Sequence, residues 1–84
     1  RSDNMTGDFP TIKRGSTGKA VVLFQCLLYD LGYNIGNAGI VGIYGGDTLS
    51  ACRSFQKMNN LIVDGICGNQ TWTQLIKMWW EMSY

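Results

Sequence analysis

The chain has 84 residues and a formal net charge of +1, and 45% of its residues are hydrophobic and 12% aromatic. This length suits one small domain with a modest core, and the apolar content excludes a disordered chain. The near-neutral charge gives no electrostatic reason to expect nucleic acid or an anionic membrane as a partner. No apolar run approaches the ~18 residues of a membrane-spanning helix.

The cysteine and histidine content restricts the possible chemistry. The chain has three cysteines and no histidine. Cys26, Cys52 and Cys67 are widely spaced and form no C-x-x-C pair, which argues against a zinc site. The absence of histidine excludes Ser–His and Cys–His nucleophiles. We therefore expect no catalytic residue, metal or cofactor, and three unpaired thiols, with Cys26 and Cys52 protected by burial.

The N-terminal part is polar at first and then extended. We expect residues 1–8 to be a linker remnant and residues 9–84 to form one domain. Phe9 and Pro10 begin an extended piece for which Ile12 is the predicted anchor. The segment from Arg14 to Lys19 predicts a turn whose hydroxyl groups cap the first helix.

Helical apolar spacing follows in three segments. The first runs from Lys19 to Leu31 and is ended by Gly32, the second from about Asp47 to Met58, and the third starts after Asn69 as its N-cap. These stripes and the adjoining loops predict a core of Val21, Phe24, Leu28, Leu31, Cys52, Phe55, Leu61, Ile66, Trp72, Leu75 and Ile76. The fold class is therefore all-α, a small three-helix bundle with glycine-rich connecting loops.

The segment from Tyr33 to Gly46 is glycine-rich and irregular. We expect Ile40 and Ile43 to hold it against the core. A phosphate-binding loop is excluded, because no Gly-Lys-Ser/Thr follows and no strand of a parallel sheet precedes it.

The C-terminal segment is rich in large apolar side chains. Trp79 belongs to the stripe of the third helix. Met78, Trp80, Met82 and Tyr84 would leave apolar surface exposed, so we expect them to pack within the bundle, with a contact to a neighbouring domain as the alternative.

A short internal repeat connects two of the loops. The residues from Val41 to Thr48 align with those from Asp64 to Thr71, 23 positions later, with Gly, Ile, Gly and Thr in register. Each copy is a tight glycine turn followed by a helix start, so Thr48 and Thr71 are predicted to bond backbone donors there. Gln25 and Gln56, each following a phenylalanine, are predicted to bond loop backbone at the edge of the apolar stripes.

Three motifs together resemble one known family. They are Gly15-Ser-x-Gly18-x-x-Val21-x-x-Phe24-Gln25, Gly42-Ile-Tyr-Gly45-x-x-Thr48-x-x-Ala51, and Asp64-Gly-Ile-x-Gly68-x-x-Thr71-Trp72. This pattern, from about Phe9 to Leu75, is similar to the peptidoglycan-binding domain of bacterial and phage cell-wall hydrolases. Val41 departs from it, because the family pattern has an aspartate in the first turn.

The resemblance implies a non-catalytic module that binds peptidoglycan, through its glycan and stem peptide, and targets an attached hydrolase such as an amidase, glycosidase or endolysin. It implies a monomer that acts outside the cell, at the wall of the host bacterium or of a bacterium attacked by phage. A similar bundle occurs in metalloproteinase propeptides, so a regulatory or protein-interaction module is the alternative. The inhibitory cysteine motif of those propeptides is missing here.

The candidate ligand-binding residues cluster around the two glycine turns. They are Tyr44, Asp47, Arg53, Asp64, Asn69, Gln70 and Trp72. Aromatic rings can stack on sugar faces, and helix starts offer unpaired N–H groups. Structural roles compete with these assignments: Tyr44 and Trp72 as core residues, and the two aspartates as turn and helix-start residues. For Asp64 we expect the structural role, with its carboxylate bonded to backbone N–H groups of the turn.

Overall fold

The computed structural model describes residues 9–82, so the predicted linker over residues 1–8 and the tail residue Tyr84 lie outside it. It contains three helices, α1 (Lys19–Asp30), α2 (Gly46–Met58) and α3 (Asn69–Met82). Extended pairing within residues 9–82 is limited to isolated antiparallel bridges, Ile12–Cys67 and Thr17–Ile43. The prediction of an all-α, three-helix domain is confirmed. Within the described range no helix is both long and apolar enough to cross a membrane.

A glycine occupies the N-cap of both α1 and α2, although a hydroxyl cap was predicted for α1. Gly18 holds the N-cap of α1 with φ 113° and no side-chain cap bond. The Ser16 hydroxyl instead accepts a hydrogen bond from the Lys13 N–H, within the preceding turn. The prediction of a hydroxyl cap is therefore wrong, because a positive φ at the cap position favours glycine. Asn69 is the first residue of α3, so it does not precede the helix as predicted.

The core follows the predicted stripes. Seven of the predicted residues are buried: Val21, Phe24, Leu28, Cys52, Phe55, Trp72 and Leu75. Leu31, Leu61 and Ile76 are partly buried and pack against them. Ile12 is buried at 4% exposure, which confirms it as the anchor of the extended N-terminal piece.

Aromatic rings form the centre of this core. Trp72 stacks on Phe9 at a centroid distance of 4.8 Å and meets Phe24 edge-on at 5.6 Å. Phe24 also stacks on Tyr44 at 5.7 Å. The indole N–H of Trp72 donates to the Pro10 carbonyl at 2.8 Å, which fastens the N-terminal segment to α3. Offset and edge-on pairs of this kind add stability beyond the area that they bury.

Three isoleucines that were predicted to pack against the core are exposed instead. Ile40, Ile43 and Ile66 are 42%, 57% and 39% exposed. Ile43 and Ile66 each precede a buried residue, Tyr44 or Cys67, in locally extended backbone. Because successive side chains in extended backbone point to opposite faces, burial of the second residue turns the isoleucine outward.

The glycine-rich loop is held to the core by a different residue. Ile35 is 5% exposed and belongs to the buried cluster, whereas Ile40 is exposed. The loop is therefore attached near its beginning.

The three thiols are unpaired. Cys52 and Cys67 are buried, and burial raises the pKa of both thiols. Cys26 is only half-buried, so the prediction that it is protected by burial is wrong. Its neighbours on α1, Gln25 and Leu27, are the residues that face inward.

The C-terminal turns of α3 are partly exposed. Trp79 is half-buried, packs against the core and donates its indole N–H to an Asp30 carboxylate oxygen at 3.0 Å. Met78, Trp80 and Met82 are 36%, 59% and 47% exposed. The expectation that these three residues pack within the bundle is therefore wrong, since helix α3 turns them largely toward solvent.

Candidate functional site

A buried glutamine organises the first glycine turn. The side chain of Gln25, on α1, is 1% exposed. Its Oε1 accepts hydrogen bonds from the N–H groups of Val41 and Gly42 at 3.1 and 2.9 Å. Its Nε2 donates to the Ile43 carbonyl at 3.0 Å and to the Thr48 hydroxyl at 2.9 Å. One side chain therefore joins α1, the turn and the start of α2.

A second buried glutamine organises the second turn in the same way. Gln56, on α2, is also 1% exposed. Its Oε1 accepts from the N–H groups of Asp64 and Gly65 at 3.2 and 3.0 Å. Its Nε2 donates to the Ile66 carbonyl at 3.0 Å and to the Thr71 hydroxyl at 3.1 Å. The internal repeat is thus a repeat of hydrogen bonding as well as of sequence.

These contacts confirm one prediction and correct another. Gln25 and Gln56 bond loop backbone as expected, although they are fully buried. Thr48 and Thr71 were predicted to bond backbone donors at helix starts, but their hydroxyls accept the glutamine amides. No buried side-chain nitrogen or oxygen in residues 9–82 lacks a partner, so the side chains of both glutamine networks are fully hydrogen-bonded.

Each turn forms one wall of a small surface depression. The first depression, about 250 Å³, is lined by Gln25, Ile35, Ala38, Gly39, Val41, Ile43, Gly45, Gly46, Asp47 and Thr48. The second depression, about 240 Å³, is lined by Gln56, Leu61, Ile62, Asp64, Ile66, Gly68, Asn69, Gln70 and Thr71. Seven lining positions correspond across the repeat, counting the two glutamines. The two depressions are therefore structural counterparts at the starts of α2 and α3.

The structure distributes the predicted site residues unevenly. Asp64, Asn69 and Gln70 line the second depression together. Asp47 lines the first depression, so it is separated from those three. Arg53 is exposed on α2 and packs beside Gly65, outside both linings. The second depression is the place where most of the predicted polar groups meet.

Two predicted ligand-binding residues belong to the core. Tyr44 is 1% exposed, and its hydroxyl donates to the Gly65 carbonyl at 2.5 Å. Trp72 is fully buried. Burial also raises the pKa of the Tyr44 hydroxyl, so it stays protonated. Assigning either ring to a ligand was wrong, because neither presents a face to solvent.

Asp64 has the structural role expected of it. Its Oδ1 accepts hydrogen bonds from the Ile66 N–H at 2.9 Å and from Gln56 Nε2 at 3.0 Å. The first bond is the local side-chain-to-backbone pattern that makes aspartate frequent in turns. The side chain also lines the second depression, so this structural role leaves it facing the candidate site.

Sequence reasoning missed the apolar part of both linings. Ile43 lines the first depression, and Ile62 and Ile66 line the second. The available signal was the inward position of Tyr44 and Cys67, which turns Ile43 and Ile66 outward. Each depression thus combines exposed isoleucine with polar groups at a helix start.

A third depression was not predicted at all. It measures about 410 Å³ and is lined by Tyr29, Tyr33, Asn34, Ile35, Gly36, Gly39 and Ile40. The first unit of the repeat has eight more residues than the second between its glutamine and its turn, and these build much of this depression. The described residues offer no cluster of three histidine, cysteine, aspartate or glutamate side chains for a metal ion.

Comparison with known proteins agrees with this architecture. Residues 17–75 match the family model described as a putative peptidoglycan binding domain. The chain is 36% identical over 66 residues to a spore cortex-lytic enzyme from Bacillus cereus, covering 79% of this chain and 25% of the relative. It spans 55% of another relative at the same identity, an uncharacterised protein from Kitasatospora aureofaciens.

Solved structures place the similarity in a single domain. The SleB N-terminal domain superposes with a TM-score of 0.79 at 33% identity, covering 86% of this chain and 96% of that one. A peptidoglycan-binding protein from Clostridioides difficile gives a TM-score of 0.75 at 42% identity, covering 80% of this chain and 40% of that one. A family model over most of the chain and a related domain covered almost entirely lead to one conclusion: the chain belongs to the peptidoglycan-binding domain family.

Proposed function

We propose that this domain binds peptidoglycan through the second depression, without catalysing a reaction, and holds an attached hydrolase at the bacterial wall. The observation that carries the proposal is the convergence of Asp64, Asn69 and Gln70 on one concave surface. The buried Gln56 fixes that surface by bonding both the turn and Thr71 at the start of α3. Membership of the family supplies the class of ligand.

The chemistry of the second depression suits the stem peptide. The side-chain amides of Asn69 and Gln70 offer both donors and acceptors to peptide groups, which peptidoglycan stems present in series. Ile62 and Ile66 supply apolar contact for alanine methyl groups. Arg53 is exposed beside Gly65 of the second turn, and we assign it to a stem-peptide carboxylate.

The size of the relatives supports a tethering role. The chain corresponds to 25% of the length of the spore cortex-lytic enzyme. A module of this length attached to a catalytic domain raises the local concentration of that domain at the polymer. We place its action outside the cell, at the wall of the host or of a bacterium under phage attack, and we expect it to act as a monomer.

The test of function is co-sedimentation of the 84-residue chain with purified insoluble peptidoglycan, combined with an assay for released muropeptides. We expect the chain to pellet with the wall and to release nothing. Release of soluble fragments would reveal catalysis. Failure to pellet would remove the wall-binding function and favour a regulatory or protein-interaction module of the propeptide type.

The test of the site uses variants at the start of α3 and one variant on α2. Asn69→Ala and Gln70→Ala together remove both side-chain amides, and we expect them to weaken pelleting by about tenfold. Thr73→Ala changes an exposed residue on the same helix outside the depression and is the matched control. Arg53→Ala tests the proposed carboxylate contact separately. If the double variant folds and pellets like the control, the second depression is not the binding site.

A further inference from the structure

We propose that the third depression, between Tyr29 and Ile40, binds an N-acetylated sugar ring of the glycan strand. It is separate from the second depression, and the proposal rests on the proposed function in that it takes the polymer to be peptidoglycan. Its volume is about 410 Å³, compared with 200 to 250 Å³ for three other depressions. A volume of 410 Å³ lies in the range of ~300–1,000 Å³ usual for small-molecule sites, whereas those three volumes lie below it.

The two tyrosines are fixed relative to each other by the end of α1. Gly32, with φ 92°, donates its N–H to the Tyr29 carbonyl at 3.0 Å. Tyr33 donates its N–H to the Leu28 carbonyl at 2.9 Å, which completes a Schellman motif. The Tyr33 ring is also held edge-on against Phe55 at 5.6 Å. Both rings thus stand on backbone that needs no rearrangement when a ligand arrives.

The far wall is fixed against α2. Ile35 is buried, and Gly36 packs so closely on the Asp47 side chain that a β-carbon at position 36 would overlap it. The Asn34 Oδ1 accepts the Gly36 N–H at 2.9 Å, which stiffens the loop at that point. Gly36 and Gly39 leave backbone uncovered along the depression, so a ligand can approach it closely.

The lining chemistry favours a neutral amphipathic ring over a charged peptide. None of the seven lining residues is an aspartate, glutamate, lysine or arginine. Tyr29 is 63% exposed and Ile40 42% exposed, so an aromatic and an aliphatic surface both face solvent there. A pyranose ring presents apolar C–H faces for stacking and an acetamido group for hydrogen bonding to the side-chain amide of Asn34 and to loop backbone. A charged stem peptide would find no counter-charge in this lining.

The position of the depression also fits a polymer. It shares the lining residues Ile35 and Gly39 with the first depression, so the two depressions are adjacent along the glycine-rich loop. A glycan strand laid along this loop would place consecutive sugars against one fixed surface.

The experiment titrates the chain with tri-N-acetylchitotriose, a soluble neutral oligomer of N-acetylglucosamine, and follows backbone amide shifts by NMR. We expect saturable shifts at Tyr33, Asn34, Gly36 and Gly39. Tyr29→Ala should weaken binding by about five- to tenfold, whereas Tyr29→Phe should retain it, because the ring face is kept. Met58→Ala is the matched control, because it removes an exposed apolar side chain on α2 that lines none of the four depressions.

Parallel pelleting with insoluble peptidoglycan separates this inference from the proposed function. Wild-type chain that pellets but shows no shifts with the oligomer overturns the sugar site and leaves the proposed function standing. Shifts confined to the second depression also overturn it, as does a Tyr29→Ala variant that binds the oligomer as tightly as wild type. Saturable shifts in the third depression support the sugar site even if pelleting fails, since the oligomer carries no stem peptide.

Discussion

The Tyr44 hydroxyl donates a 2.5 Å hydrogen bond to the Gly65 carbonyl. Tyr44 belongs to the first turn and Gly65 to the second, so this bond joins the two repeated units directly through the buried core. The equivalent residue in the second unit is Cys67, which is also buried. The repeat is therefore asymmetric at this position: one copy supplies a long side chain that reaches across, and the other supplies a short one that leaves room for it.

Removing this link should cost measurable stability. Tyr44→Phe deletes the hydroxyl and leaves the buried Gly65 carbonyl without that donor. We expect the free energy of unfolding to fall by roughly 1–3 kcal/mol in urea titrations. Tyr29→Phe removes a hydroxyl from an exposed ring and should change it by less than about 0.5 kcal/mol. Equal effects from the two variants would mean that the Tyr44–Gly65 bond contributes nothing net.

The buried glutamine Gln56 should contribute more to the free energy of unfolding than the Tyr44 hydroxyl does. Gln56→Leu keeps most of the side-chain volume but removes the acceptor of two backbone N–H groups and the donor to the Ile66 carbonyl. Unsatisfied buried groups are expensive, so we expect a loss of more than about 3 kcal/mol. Gln70→Leu, on the exposed start of α3, is the control and should change unfolding by less than about 0.5 kcal/mol. A small effect at position 56 would show that water replaces the amide.

Alanine substitutions at two glycines with the same backbone conformation distinguish the cost of a positive φ from the cost of a steric overlap. Gly39 and Gly65 have φ of 73° and 74°. A β-carbon at Gly39 meets nothing within 4 Å, whereas one at Gly65 overlaps the Leu49 side chain. Gly39→Ala should therefore cost only the ~1–2 kcal/mol of a left-handed alanine. Gly65→Ala should cost more than Gly39→Ala, because the end of the Leu49 side chain must also move. Similar melting temperatures for the two variants would contradict this close packing.

Alkaline pH should weaken the fold. Burial raises the pKa values of Cys52, Cys67 and Tyr44, so the folded state holds protons that the unfolded chain releases. The resulting stability is complete below the unfolded thiol pKa of ~8.5 and is lost as pH rises above it, with Tyr44 adding its share above ~10. The slope is at most about 1.4 kcal/mol per pH unit for each group.

Urea unfolding between pH 7 and 10.5, in the presence of a reductant, measures this dependence. Cys67→Ala removes one of the three groups and should make the decline above pH 8.5 shallower than in wild type. Thr73→Ala changes an exposed residue without a titratable group and should leave the slope unchanged. A decline of the same steepness in the Cys67 variant would show that this thiol is not the one protected from ionisation.

The parts of the fold that were predictable are those with periodic sequence. Phe24, Phe55 and Leu75 lie on helical stripes, and all three are fully buried. Asp64 was predictable because an aspartate before a glycine bonds its own turn. The exposure of Ile43 and Ile66 was not predictable in this way, because their segments were interpreted as an irregular loop and a glycine turn. Each segment contains a short extended stretch in which side-chain orientation alternates.

The site was predictable only in part. Asp64, Asn69 and Gln70 are close in sequence, so their meeting at one depression follows from the local turn. Tyr44 and Trp72 have side chains of the type that often bind ligands. Each instead donates to a backbone carbonyl, of Gly65 or Pro10, that only the tertiary fold brings close. The third depression depends on how the longer loop folds back on α2, which no short-range pattern encodes.

The extended N-terminal segment has a consequence for the order of folding. Its first contacts reach far along the chain: the Pro10 carbonyl accepts the Trp72 indole N–H across 62 residues, and Ile12 pairs with Cys67. Its later contacts, Gly18 with Gly42 and Ser16 with Tyr44, are much more local. A contact between two residues can form only after both have left the ribosome. During synthesis, the local contacts of Ser16 and Gly18 can therefore form before those of Pro10 and Ile12. Within this domain, the segment that is synthesised first is therefore the last to make its contacts.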